Sequence, residues 1–166
     1  TAQRWVHGLT VGNASDWRLP KIVDTGTPGC NYSNAGGTDC GYNVQTISAD
    51  GLTVYSEWAH LYYVTMGNLA HAAGPLDTML VNTGDFLNFE VAALWTGVAD
   101  AKFPAYAWVF QFYDGYQYSN GQINAHSGSL AVRPGDVNAT VPEPQSLALA
   151  LLAVGAAVLA SRKRPR

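Results

Sequence analysis

Charge is what this sequence has least of. Asp, Glu, Lys and Arg supply 13% of its 166 residues, against roughly 25% in an ordinary soluble domain. Cysteine occurs twice, so no second cysteine pair completes a four-ligand metal set. The four histidines, His7, His60, His71 and His126, are scattered and form no H-E-x-x-H. No G-x-S-x-G, P-loop or Rossmann pattern occurs. Asp85 with Glu90, and Asp100 with Asp114, read as loop and turn carboxylates, not as an acid–base pair. No catalytic residue, metal ligand or cofactor is therefore nominated, and the expectation is a protein that is not an enzyme. An isoelectric point near 5.7 carries no basic footprint for nucleic acid. Hydrophobic residues at 48% and aromatics at 11% are too many for a disordered chain.

The few charges are unevenly placed. Residues 1–140 hold five basic groups (Arg4, Arg18, Lys21, Lys102, Arg133) against eleven acidic ones, a net of −6. Residues 141–166 hold Arg162, Lys163, Arg164 and Arg166 against Glu143 alone, a net of +3. A basic end on an acidic chain points to membrane contact at that end.

Leu147 to Ala160 contains no polar side chain. As a helix this stretch would span about 21 Å, and Ser146 and Ser161 bring it to about 24 Å, the short limit for a hydrocarbon core of about 30 Å. It is apolar on every face and closed by a basic cluster, so residues 146–166 are expected to be a transmembrane helix with a cytoplasmic tail. The positive-inside rule keeps Arg162, Lys163, Arg164 and Arg166 in the cytoplasm and puts residues 1–140 outside. That topology requires an export signal, which Thr1 and its neighbours do not supply, so upstream residues are expected.

Pro142-Glu143-Pro144, a short apolar helix and a terminal Arg/Lys cluster, in that order, resemble the PEP-CTERM sorting signal of Gram-negative bacteria. The two prolines hold an extended, solvated stretch of the kind a protease reads beside a bilayer. The resemblance implies a transient inner-membrane anchor, processing by the membrane protease exosortase, and delivery to the cell surface or extracellular matrix.

Residues 1–136 read as an α+β domain, joined to the tail by a linker at 137–145. Arg4, Trp5, Val6 and Leu9 have helical spacing over residues 2–9. Ser56 to Leu69 is the best helix: Ser56 caps it, Trp58, Leu61, Tyr62, Thr65 and Leu69 share one side, and Gly67-Asn68 ends it. Ala92 to Thr96 and Tyr106 to Phe112 read as strands, the second with its large residues on one face. Asp114-Gly115 signals a hairpin, with Tyr116 to Tyr118 opening the return strand. Leu130 to Arg133 reads as a last strand. The expected fold is a small antiparallel sheet with one or two helices. Cys30 and Cys40 lie in a loop whose closure by a disulfide is worth about 2–3 kcal/mol, and an exported location favours that bridge over a free thiol. Arg18 and Arg133, among apolar neighbours, call for carboxylate partners.

Asp16-Trp17-Arg18-Leu19-Pro20, the Cys30–Cys40 loop, the helix from Ser56, Leu94-Trp95-Thr96-Gly97, Ala107 to Gly115 and Ala131-Val132-Arg133-Pro134 follow one another as in Lcl C-terminal-like domains, named after a collagen-like adhesin. This resemblance spans residues 2–136. It implies a C-type-lectin-like fold and an association with glycosaminoglycans, although a body of net −6 suits a neutral glycan or exopolysaccharide better. Family members begin with a further strand and a Trp-containing segment ahead of the first helix, so the domain reads as N-terminally truncated.

Sugars stack on aromatic faces flanked by planar polar groups. Trp95, Asp114, Tyr116, Tyr118 and Asn120, in and beside the hairpin, are therefore the candidate ligand-binding residues. The combined expectation is an exported, exosortase-sorted, non-catalytic surface or matrix protein. A carbohydrate-binding adhesin domain on the same tail is the alternative.

Overall fold

The computed structural model describes residues 1–26, 30, 36, 39–71, 80–89, 92–122 and 128–134. The linker, the apolar run and the basic tail lie outside the described residues. The described residues belong to the compact unit Thr1–Pro134.

Helix α1 covers Ala2–His7, with the Thr1 hydroxyl accepting from the Arg4 N–H at 3.4 Å and Gly8 closing its end. Only Val6 of this helix is buried. Helix α2 (Glu57–Ala59) is one turn long and passes into a π-helical segment, His60–Thr65. Ser56 anchors the pair twice: its hydroxyl accepts from the Ala59 N–H at 3.1 Å and donates to Gln117 Oε1 at 2.6 Å.

The helix expected over Ser56 to Leu69 is thus shorter and differently wound. From Leu61 onward the backbone bonds lengthen, as in the Met66 N–H to Leu61 carbonyl bond of 2.9 Å, an i→i+5 pairing. Tyr62 and Met66 face inward and Thr65 faces solvent, while Leu69, beyond the end of the segment, is exposed. Gly67, at φ +70°, ends the segment.

Three antiparallel strands follow in the order β1 (Ala93–Ala99), β2 (Tyr106–Gln111), β3 (Tyr116–Gly121). In register, Trp95 opposes Val109, which opposes Tyr118, while Gln111 opposes Tyr116 and Ala107 opposes Asn120. The β2–β3 hairpin turns at Asp114-Gly115 as expected, with Gly115 at φ +82°. A Cβ there would stand 2.5 Å from the Tyr63 hydroxyl, so only glycine fits.

The alternation in Tyr106 to Phe112 does not mark one buried and one open face. Trp108, Val109 and Phe110 are all buried, because β2 is central and covered on both sides. Trp58, Tyr62, Phe110 and Phe112 pack with Val44, Met66 and Leu94 as the main core, with Trp58 edge-on to Phe112 at 5.3 Å. A second cluster joins Ile22, Cys40 and Trp108, with Cys30, Val98 and Tyr118 against it. Cys30 and Cys40 are disulfide-bonded, their Cα atoms 4.5 Å apart.

Leu130 to Arg133 forms a single bridge, Val132 to Arg18, in place of a strand. Both arginines have carboxylate partners. Arg18 forks onto Glu57 at 2.6 and 2.7 Å, and Arg133 onto Asp16 at 2.7 and 3.3 Å. Both pairs reach solvent, Asp16 most of all with a side chain 56% exposed. The described unit is a small α+β fold.

Candidate functional site

Register alone decides how the nominated residues are grouped. Side chains directly opposite across antiparallel strands share a face, so Trp95, Tyr116, Tyr118 and Asn120 all stand on the same face of the sheet as Val109. Phe110, Leu94 and Gln117 occupy the other. Tyr116 and Tyr118 stack with centroids 5.5 Å apart, and Tyr42 packs on Tyr116 at 4.9 Å.

Asp114 belongs elsewhere. It sits in the turn, half-buried, with one carboxylate oxygen accepting from the Tyr116 N–H at 3.0 Å and the other from the Tyr42 hydroxyl at 3.2 Å. Its carbonyl accepts from the His71 N–H at 2.9 Å. Burial raises its pKa, and the Tyr116 and Tyr42 hydrogen bonds only partly oppose that rise. The Tyr63 hydroxyl donates to the Gly115 carbonyl at 2.6 Å and accepts from the Asn43 N–H at 3.0 Å. These bonds hold the turn against the π-helical segment.

The face continues in the opposite direction into a cleft of about 570 Å³ between α1 and β1. Trp95, Gly97, Ala99 and Ala107 line its sheet side, and Gln3 and Trp5 its helix side, with Gln122 also on its wall. Among the described residues, no acidic or basic side chain lines it. Trp5 is 46% exposed although its spacing reads as packing, because α1 buries Val6 alone. The Gln122 side-chain N–H groups donate to the Pro104 and Tyr106 carbonyls, each at 3.1 Å. This fixes the amide and leaves its carbonyl oxygen as an acceptor. Reading the sequence missed Trp5 and Gln3 here. The available signal was a tryptophan on so short a helix, which cannot bury every large side chain it carries.

Among the described residues, no group of three or more His, Cys, Asp or Glu could hold a metal ion. Asp100 caps its own turn, accepting from the Lys102 and Phe103 N–H groups at 2.8 and 3.0 Å. Asp85 is exposed, and Glu90 and His126 lie outside the described residues, as do Pro142, Glu143, Pro144, Arg162, Lys163, Arg164 and Arg166.

A family model for the PEP-CTERM protein-sorting motif matches residues 140–164. Neither a curated protein nor a solved structure matches the chain. The chain thus ends in a PEP-CTERM sorting motif, which implies an exported protein sorted by exosortase.

Proposed function

We propose that this chain is a bacterial cell-surface or extracellular-matrix protein with a non-catalytic display domain over residues 1–136. It is held briefly in the inner membrane by residues 146–166, with the domain in the periplasm, until exosortase acts near Pro142-Glu143-Pro144. The observation that carries this reading is the sorting-motif match at 140–164. It falls on the tripeptide, the apolar run and the basic end together, and each has a physical part in that route: an extended cleavage segment, a span, and an orienting charge. The domain's resemblance to Lcl C-terminal-like, lectin-like domains fits display outside the cell, as does its disulfide.

Fractionation of a host with and without its exosortase tests the reading. The protein should reach the surface or matrix in the first host and remain with the inner membrane in the second. Identical fractionation in both would overturn it.

The second reading, a carbohydrate-binding domain on the same tail, is favoured by one observation. Four of the five nominated residues share a sheet face that runs into a tryptophan-lined cleft whose described lining carries no acidic or basic side chain.

A further inference from the structure

We infer that the cleft between α1 and β1 is a saccharide site, selective for uncharged sugars, with Trp5 and Trp95 as its stacking surfaces. The inference rests on the carbohydrate-binding reading and replaces the hairpin by the cleft as the place of contact.

Three properties of the cleft converge. Its volume, about 570 Å³, lies within the range of small-molecule sites, roughly 300–1,000 Å³. Its lining includes two tryptophans and, among the described residues, no acidic or basic side chain, although the surrounding residues 1–140 carry a net of −6. An anionic sugar would meet no cationic side chain among the described lining residues and would be repelled by the rest of the body. The axial C–H groups of a neutral pyranose instead find two broad apolar rings whose indole N–H groups remain polar handles.

The third property is preorganisation. Gln122 is anchored through its amide N–H groups to two backbone carbonyls, so its oxygen presents an acceptor to a sugar hydroxyl without first losing side-chain freedom. Gln3 on α1 adds a second planar amide, and Ser129 a hydroxyl. Gly97 and Ala107 keep the floor low: the backbone at Gly97 is tied to the Pro20 carbonyl at 2.7 Å, and neither residue projects a bulky group into the space. At the hairpin end, by contrast, both Asp114 oxygens and the Tyr63 hydroxyl are spent on protein partners.

Isothermal titration of the full chain tests this, in lauryldimethylamine oxide so that no sugar headgroup competes. The probes are cellohexaose, xylohexaose, mannohexaose, maltohexaose and chitohexaose, each taken to about 5 mM to cover weak single-site binding, with heparin as the polyanion. At least one neutral hexasaccharide should bind. Its affinity should fall tenfold or more in Trp5→Ala, with an unchanged thermal melt, and severalfold in Gln122→Ala. Trp95→Tyr, which retains a ring in the sheet, should weaken it less than Trp5→Ala. Tyr118→Ala should leave it within twofold. Binding that survives Trp5→Ala and Gln122→Ala but is lost in Tyr118→Ala would overturn the cleft and keep the carbohydrate reading. Binding of heparin alone, or of no probe, would overturn both, and leaves the sorting route to its own test.

Discussion

The two ends of the sheet use similar residues for opposite purposes. At the hairpin end, Tyr42, Tyr63, Asp114 and Gly115 form a network in which polar groups answer one another. At the cleft end, Trp5 stands 46% exposed, and the fixed amide of Gln122 keeps an acceptor to spare. Aromatic and amide content therefore does not by itself locate an available surface. What locates it is whether those groups already have protein partners, and that is decided by long-range contacts.

The sharpest way to break this comparison is Gly115→Ala at the closed end. A Cβ would meet the Tyr63 hydroxyl at 2.5 Å and Tyr62 Cε1 at 2.9 Å, at φ +82°. A loss of about 3 kcal/mol in urea unfolding is expected. A loss under about 1 kcal/mol would show that the hairpin network is looser than described.

Glu57 gives the next largest effect and a pH signature. Burial pushes its pKa up, but the Arg18 fork and the Lys21 N–H outweigh that and leave it below the ordinary 4.5. A carboxylate depressed on folding adds stability above its unfolded pKa and loses it as pH falls through the folded value. Glu57→Gln should therefore cost about 1–2 kcal/mol at pH 7, discounted for the partial exposure of the pair, and the cost should shrink below pH 4.5. Asp114 runs the other way. Its raised pKa means that protonation favours the folded state as pH falls, so Asp114→Asn should not lower stability at pH 7 in the manner of Glu57→Gln. Urea titrations of both variants at pH 7 and pH 4 would expose a wrong sign.

The smallest stability effect belongs to the open end. Trp5→Ala should change unfolding free energy by no more than about 0.5 kcal/mol, the range of an uncommitted surface residue. A loss above about 2 kcal/mol would make Trp5 a packing residue and dissolve the contrast between the two ends.

Local signals were legible wherever the chemistry is local. Asp114-Gly115 announced its hairpin, Ser56 its cap, and the net of +3 in residues 141–166 its sorting tail. Arg18 and Arg133 declared their need for carboxylates, though the partners Glu57 and Asp16 are surface-reaching, not interior. What escaped depends on contacts distant in the chain. The π winding of His60–Thr65 and the end of the helix before Leu69 leave Thr65 and Leu69 exposed while Tyr62 and Met66 join Phe110 and Phe112 in the core, an outcome that apolar spacing alone does not separate from a regular helix. The second covered face of β2 depends on neighbours brought from elsewhere in the chain. For the same reason the candidate set placed Trp95, Tyr116, Tyr118 and Asn120 together but included Asp114, already committed to the turn, and omitted Trp5.

The central claim is that the C-terminal segment is a sorting device and not a permanent part of the displayed protein. Intact mass of the protein recovered from the surface or matrix of an exosortase-bearing host measures this directly. A chain that ends near Pro142-Glu143-Pro144, without the apolar run or the Arg162–Arg166 cluster, is expected. A surface protein that still ends at Arg166 would contradict it.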